Sequence, residues 1–451
     1  MTDTFKVSNE TSASVSDSAQ LSAQSSTETP IHISPAYANY VLGILFMVYV
    51  FNFVDRQVLS VFIGPIKQEF GVSDTAMGLL VGFAFAILYT VAGIPIARWA
   101  DRGNRRNIIV LGLTVWSAMT AVCGLSKTFL QLVLARIGVG FGEAAGTPPA
   151  HSLISDYFPV SRRAMALAIY AAGVHVGSAI AYLGGGYLRE HFEWRTAFLV
   201  LGVPGLLLAL VLRFTVREPP RGHAEQHRGE IGTSTLGETL RFLLTSRTWV
   251  LLILGVTCIS LTGYGVIMWG YEFLSRVHKM APVEIGQWLA LISGLGGIVG
   301  TLLGGRLSDW AYKRAPSKAI RLPALFTLAC VPFGLAFLLV DSRWLALLCF
   351  VPFSVLLNFY MPMMYSTTQN LAKLHMRATA TAILLFTINM VGAGAGPLFV
   401  GGMSDLLASH FGVESIRYAL AIVTAISGVG CVLLVFASRH YEQDILRARQ
   451  P

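Results

Sequence analysis

The sequence predicts an all-α membrane protein whose twelve transmembrane helices form two pseudo-symmetric halves of six. Three observations lead to this prediction: the composition, the recurrence of long apolar segments and a repeat between the two halves. Of the 451 residues, 54% are hydrophobic and only 13% are charged, whereas a soluble domain carries about 25% charged residues. Most of the chain must therefore face lipid or other parts of the protein.

Apolar segments of about 20 residues, the length needed to cross about 30 Å of hydrocarbon, recur along the chain. Residues 37–215 are predicted to form an N-terminal six-helix bundle and residues 248–438 a C-terminal one. Residues 216–247 form a cytoplasmic linker and residues 439–451 a cytoplasmic tail. Residues 1–36 are rich in Ser and Thr and lack an apolar run, which predicts a disordered cytoplasmic tail. The predicted spans are 38–62, 76–98, 107–126, 129–155, 164–188, 196–215, 248–275, 284–306, 322–340, 343–371, 378–403 and 416–438.

The two bundles are related by a sequence repeat. Residues 97–106 read ARWADRGNRR and residues 305–314 read GRLSDWAYKR, so that an aspartate and a terminal basic pair align without gaps. Residues 163–169 (RAMALAI) likewise match residues 377–383 (RATATAI). A six-span unit has therefore been duplicated in parallel, an arrangement in which the central site lies between the halves.

The distribution of basic residues predicts the orientation. With both termini in the cytoplasm, 23 of the 33 Lys and Arg residues lie in cytoplasmic segments and 8 in outer segments, and Arg56 and Arg136 lie within the membrane. Such an excess is the usual mark of the cytoplasmic side. It also explains the net charge of +9 without a nucleic-acid partner.

Several kinds of site are excluded by spacing. The five cysteines are scattered through apolar segments and form no CxxC pair, so neither a disulfide framework nor a metal site is predicted. His223 and His227 lie in a Pro- and Gly-flanked linker without a third ligand, and we interpret this segment as solvated. The glycine-rich stretches lack the spacing of nucleotide loops, and in lipid small residues allow helices to pack closely. The sequence predicts no enzyme active site and no cofactor.

The repeated turns suggest gating. They lie at the cytoplasmic ends of spans two and eight, where an aspartate can bond helix ends or basic neighbours and separate from them as the halves rock. A basic turn that only fixes topology is the alternative. We predict that the Asp101 turn is packed when the cavity opens outward and loosened when it opens inward. The candidate gating residues are Asp101, Arg102, Arg105, Arg106, Asp309 and Arg314.

Four charges at membrane depth, all in the first third of the chain, identify the candidate site. Ionisable groups in the bilayer are costly and usually mark an ion or substrate pathway. Arg136 and Glu143 share a helix face about 10 Å apart, and Asp55 and Arg56 lie in the first span. From their depths, we expect Asp55 to pair with Arg136, and Arg56 to reach down to Glu143. We assign proton coupling to Glu143 and Asp55, and substrate binding to Arg56 and Arg136; the alternative is a static ion pair that fixes the bundle.

The C-terminal half has no comparable mid-membrane charge. Its tenth span instead carries an amide, an aromatic and two Met side chains, and Met-rich surfaces adapt to varied apolar partners. A cavity charged on one wall and apolar on the other suits an amphipathic substrate, although ordinary packing explains each residue equally well. The candidate substrate-binding residues here are Asn358, Tyr360, Met361 and Met364.

Several of these motifs resemble a known family. The turn at 93–106 is similar to the signature of the major facilitator superfamily. Residues 48–59 (VYVFNFVDRQVL), 142–150 (GEAAGTPPA) and 156–159 (DYFP) resemble its spinster subfamily. This resemblance implies a lysolipid or sphingolipid substrate. It also implies roles in coupling and substrate engagement for the four charged residues of the candidate site.

The Asn-x-x-Asp-Arg pattern at 52–56 is shared with proton-coupled carriers of hexuronates and aromatic acids. We therefore expect a proton-coupled secondary transporter working by alternating access, with an amphipathic lipid as substrate and a small organic anion as the alternative. Protons and membrane lipids are the other expected partners. The protein is expected to be a monomer in the cell membrane, the inner membrane in a Gram-negative bacterium, with both termini in the cytoplasm.

Overall fold

The computed structural model describes residues 34–220 and 235–448, and these residues form helices without a β-strand among them. The all-helical fold class is therefore confirmed. Residues 1–33 of the predicted disordered tail lie outside the described residues. The linker histidines, His223 and His227, also lie outside them.

We number the membrane crossings α1 to α12. In the N-terminal half they are α1 (Pro35–Val61), α2 (Asp74–Gly78, Leu79–Phe83 and Ala84–Arg102), α3 (Arg105–Leu125), α4 (Phe129–Glu143 and Thr147–Tyr157), α5 (Val160–His191) and α6 (Trp194–Thr215). In the C-terminal half they are α7 (Arg247–Arg276), α8 (Pro282–Tyr312), α9 (Pro316–Leu328 and Cys330–Leu339), α10 (Arg343–Leu357 and Tyr360–Leu371), α11 (Arg377–Thr387, Ile388–Ala395 and Gly396–Phe411) and α12 (Ser415–Ala448).

The number of crossings agrees with the prediction. Eleven helical runs are long and apolar enough to cross a membrane, and the last of them, Thr379–Ala448, has 70 residues. As one straight helix it would be about 105 Å long, more than three times the hydrocarbon thickness. It turns back at Gly412, whose φ of 54° is left-handed, and so contains both α11 and α12.

Two features of the structure were not predicted. Helix α12 continues to Ala448, ten residues beyond its predicted end. A short helix, Leu236–Leu244, lies in the linker and begins with a capping box between Thr235 and Glu238. The Thr-x-x-Glu signal for this helix is present in the sequence, but the polar composition of the linker obscured it.

Five crossings are interrupted near their middle, and the simplest interruption is the one-residue break at Ala329 in α9. The break in α4 follows Glu143, because Pro148 and Pro149 begin the next segment and proline has no amide hydrogen to continue the preceding helix. The break in α10 lies at Asn358, four residues before Pro362. Helices α2 and α11 instead contain π-helical turns, a form that is frequent at functional sites.

The halves meet along two seams, α2 against α11 and α5 against α8. Glycines allow backbones to touch there. A Cβ atom on Gly82 would lie 2.4 Å from the carbonyl oxygen of Gly394, and one on Gly286 would lie 2.4 Å from that of Tyr182. We call "outer" the face that carries the α1–α2, α7–α8 and α11–α12 connections, and "inner" the opposite face.

Candidate functional site

The centre of the N-terminal half holds a buried ion pair between Arg56 and Glu143. The Arg56 Nε donates to Glu143 Oε2 over 2.6 Å, and the carboxylate is fully buried while the guanidinium side chain is 14% exposed. Glu143 is the last residue of the first α4 segment, so the proline-induced break fixes its position. The structure thus brings together the pair that was expected from depth along the helices.

Three aromatic rings surround the Arg56 guanidinium. The centroids of Phe53, Phe85 and Tyr89 lie 5.0, 4.8 and 4.4 Å from its Cζ atom. Rings at this distance attract a cation through their quadrupole, and the attraction strengthens when water is excluded. We call this arrangement the aromatic cage; it holds Arg56 beside Glu143, the one carboxylate that bonds Arg56 among the described residues.

Arg136 and Asp55 are associated in a different way from the predicted side-chain pair. The Arg136 Nη1 donates to the backbone carbonyl of Asp55 over 3.2 Å, and both residues are almost fully buried. Asp55 Oδ1, Asn52 Oδ1 and Glu143 Oε1 find no hydrogen-bond partner among the described residues. Buried polar atoms normally have partners, so this cluster has spare capacity for a proton or a polar ligand group.

The C-terminal half contributes tyrosines that the sequence did not single out. Tyr264 of α7 lies within electrostatic range of Arg56, and Tyr365 of α10 lies within that range of Tyr89. Of the predicted α10 residues, Met361 is half-buried, whereas Tyr360 and Met364 are buried. Asn358 is half-buried and donates from Nδ2 to the Ser354 carbonyl over 2.8 Å.

The outer face is closed by ion pairs between the halves. Asp74, at the start of α2, accepts from Arg276 of α7 at 2.7 and 2.9 Å and from Ser404 of α11 at 2.8 Å. Lys67 of its own half also bonds Asp74, at 2.6 Å. Sequence reasoning missed this network, because its residues lie at or beyond the ends of the predicted spans.

A carboxylate of one half also caps a helix of the other. Asp405 of α11 accepts from the backbone N–H groups of Asp74 and Thr75 at 3.0 and 2.7 Å. These are orphan donors at a helix N-terminus, where negative charge is favourable. Nearby, Arg189 of α5 bonds Glu272 of α7 at 3.3 Å. The inter-half bonds thus gather at one end of the molecule.

The gating candidates at the inner face divide into packed and exposed residues. Arg105 is fully buried and bonds Asp156, and it bonds Glu218 at 2.6 Å. Arg106 donates its backbone N–H to Glu218 over 2.9 Å. These bonds join the N-terminal half to itself and to the start of the linker, and none of them reaches the C-terminal half. Asp101, Arg102 and Asp309 are exposed, as is Arg314, which stacks on Trp310.

Comparisons with known proteins agree with this architecture. Residues 45–397 match the model of the Major Facilitator Superfamily. An MFS-type efflux pump of Mycolicibacterium smegmatis is 34% identical over 91% of this chain and 95% of the pump. A sphingosine-1-phosphate transporter of Xenopus tropicalis is 26% identical over 90% of this chain and 83% of that protein. A probable L-galactonate transporter of Escherichia coli is 26% identical over 89% of both chains.

A solved structure gives the same result. The crystal structure of a bacterial homologue of the human lysosomal transporter spinster, inward-facing and unoccupied, superposes with a TM-score of 0.83 at 32% identity. It covers 91% of this chain and 99% of the homologue. The predicted resemblance to spinster proteins is therefore confirmed.

Proposed function

From membership of the major facilitator superfamily, to which this chain belongs, we propose that the protein is a proton-coupled transporter of an amphipathic, lysolipid- or sphingolipid-like substrate. The family makes it a multi-pass membrane transporter rather than an enzyme. The observation that carries the finer proposal is the Arg56–Glu143 pair, one acid and one base bonded to each other beside the largely buried aromatic cage.

The pair couples substrate to proton by competition for Arg56. While Arg56 bonds Glu143, both charges are compensated. An anionic head group that takes the guanidinium leaves Glu143 buried and unpaired, which is strongly unfavourable for a charge in a low-dielectric site. Protonation then removes the uncompensated charge. Substrate binding at Arg56 and proton binding at Glu143 therefore favour each other.

Two features support an amphipathic substrate. The aromatic rings that surround Arg56 offer apolar contact next to its guanidinium, and α10 of the other half carries the half-buried Met361. A relative of this chain transports sphingosine-1-phosphate, a molecule with an anionic head and one long chain. We expect the head group to bind Arg56 and the chain to lie along the C-terminal half.

Alternating access supplies the transport step. With both termini in the cytoplasm of a cell-membrane monomer, the closed outer face makes this conformation inward-facing. Outward opening then requires Asp74 to leave Arg276 and Asp405 to leave the α2 N-terminus. We expect the exposed Asp101 turn to pack at the same time.

A small organic anion is the second candidate. The observation that favours it is the similarity to a probable L-galactonate transporter over most of both chains. Tyr264 and Tyr365, near the charged centre, would donate hydroxyl groups to such a substrate. Arg56 would then bind a carboxylate instead of a lipid head group.

Flux in proteoliposomes under an imposed pH gradient tests the proposal. A labelled lysolipid and a labelled hexuronate are compared for the wild-type chain, Glu143→Gln and Arg56→Ala. We expect gradient-driven lysolipid flux in the wild type, and at least tenfold less in Glu143→Gln, because a neutral amide cannot exchange the proton. Arg56→Ala should lose flux with or without a gradient.

The matched control is Glu442→Gln, which removes a carboxylate that bonds Ser317 at the inner face and should retain flux. Hexuronate flux without lysolipid flux would contradict the lipid substrate and support the small organic anion. Gradient-driven flux that survives in Glu143→Gln would rule out Glu143 as the coupling residue.

A further inference from the structure

Gln57 follows Arg56 on α1 and points away from the aromatic cage into the junction of the two halves. It is 3% exposed. Its Nε2 lies 2.8 Å from the Tyr182 hydroxyl of α5 and 3.0 Å from the backbone carbonyl of Ile267 of α7. Ser60, one turn along α1, accepts from the same nitrogen at 2.9 Å.

Tyr182 completes the contact. Its hydroxyl donates to the Ile267 carbonyl over 3.0 Å, so this one carbonyl of the C-terminal half accepts from two side chains of the N-terminal half. Tyr182 is 2% exposed, and its own backbone carbonyl packs against Gly286 of α8. We call Gln57, Tyr182 and the Ile267 carbonyl the amide cluster.

The amide cluster differs chemically from the ion pairs around it. A glutamine amide has no charge, and a tyrosine hydroxyl keeps its proton far above neutral pH. Its bonds therefore persist whether or not Glu143 carries a proton. When the outer face opens, Gln57, Ser60 and Tyr182 move together as parts of one half, and only the bonds to Ile267 break.

We propose that Gln57 and Tyr182 are positioning residues that hold the outer face closed through the Ile267 carbonyl, independently of proton binding. Gln57 is adjacent to Arg56 on a continuous helix. A tilt of α1 that brings Arg56 to substrate therefore also stretches the hydrogen bonds to the Ile267 carbonyl. The inference rests on alternating access within the proposed function, but not on the identity of the substrate or on proton coupling.

Spin-label distances across the outer face test this inference. The labels are placed at Lys127→Cys and Ser409→Cys, two exposed outer positions on different halves, after replacement of the five native cysteines. Tyr182→Phe and Gln57→Leu each remove donors to Ile267. Since a buried hydrogen bond contributes about a factor of three to ten, we expect the open-to-closed ratio to rise about threefold to tenfold at both pH 5.5 and pH 8.

The matched control is Tyr271→Phe. The Tyr271 hydroxyl also donates to a backbone carbonyl, that of Pro282, over 2.9 Å, but both residues belong to the C-terminal half. The distances between the two spin labels in Tyr271→Phe should equal those in the wild type. Distances unchanged in Tyr182→Phe, or changed at only one pH, would overturn the inference, and Tyr182→Phe decides the matter even if Gln57→Leu does not fold. A failure of proton-driven flux with the expected distances would refute coupling and leave the amide cluster standing.

Discussion

The two seams between the halves are equivalent in the repeat but are built differently. Helices α2 and α11 face each other through π-helical turns, Leu79–Phe83 and Ile388–Ala395. Helices α5 and α8 are continuous over 32 and 31 residues. A π turn leaves backbone groups displaced from the regular ladder and marks a place where a helix bends. Duplication thus set the positions of the helices, whereas π turns formed in the helices of only one seam among the described residues.

Backbone contacts occur at both seams, since Gly286 of α8 meets the Tyr182 carbonyl of α5, but the α5–α8 seam also contains a contact made by a side chain. At α2–α11, Gly78, Gly82 and Gly401 each place backbone against backbone of the other half. At α5–α8 the contact nearest the membrane centre is between Gly297 and the imidazole of His175, whose Cε1 would lie 2.6 Å from an added Cβ. A side chain can rotate to relieve a contact, and a backbone carbonyl cannot.

The strongest expected effect comes from Gly82→Ala at the π–π contact. The new methyl group would meet the Gly394 carbonyl at 2.4 Å, so the outer face cannot close and transport should fall more than tenfold. The measurement is flux together with outer label distances. Gly93→Ala on the same helix, where nothing lies within 4 Å, should behave as wild type; equal loss in both variants would contradict the role of the seam.

Asp74→Asn should have the next largest effect, since it removes the carboxylate charge that bonds Arg276 and Lys67 while keeping the side-chain volume. The loss of a partly buried charge pair should shift the outer face towards open by roughly tenfold, as measured by outer label distances. Asp341→Asn is the control, because Asp341 pairs with Arg417 within one half. A shift of the same size in Asp341→Asn would show that losing any outer-face carboxylate opens the outer face. The Asp74–Arg276 pair would then have no specific role in closing it.

Gly297→Ala should have a smaller effect because His175 can turn aside. We expect a loss of flux of less than about fivefold, restored by adding His175→Ala, which removes the obstructing ring. Gly294→Ala, whose nearest neighbour in the seam lies at 3.6 Å, should be neutral. Failure of His175→Ala to restore flux would show that the α5–α8 seam is as rigid as the α2–α11 seam.

The smallest effect is expected at Glu69, an outer-face residue whose bonds within the described part of the chain go to Trp194 and Arg195 of its own half. Burial alone would raise the pKa of this carboxyl, but hydrogen bonds from Trp194 and Arg195 outweigh it and lower the pKa. The ionised Glu69 carboxylate thus stabilises the folded state at pH values above its unfolded-state pKa, about 4.3. This contribution is lost as the pH falls through the lower folded-state pKa of Glu69. The side chain is 41% exposed, so we expect less than about 1 kcal/mol.

The check is the melting temperature of Glu69→Gln against wild type. The difference should be small at pH 7 and vanish towards pH 3. Outer label distances should not change, because the contact does not join the halves. A change in these distances would show that Glu69, which lies outside the seams, also helps to close the outer face.

Sequence reasoning recovered the crossings and the Arg56–Glu143 pair, because hydropathy and helical rise give depth directly. It did not give the Arg136 contact, since a guanidinium chooses between a carboxylate and a carbonyl by local geometry. Nor did it give the π turns: the glycine stretch at 392–396 predicts close packing, but π and α turns have the same composition. Asp74 and Asp405 escaped notice because they lie 331 residues apart in sequence and meet only when the halves close.

Because Asp405 caps the start of α2, the backbone amides of Asp74 and Thr75 report on the opening of the outer face. Each time the outer face opens, the amide hydrogens of Asp74 and Thr75 lose an acceptor that belongs to the other half. Their exchange with solvent deuterium is then governed by how often that opening occurs. The population of a rare conformation is thereby recorded as an isotope-exchange rate in the unmodified chain, in its own bilayer.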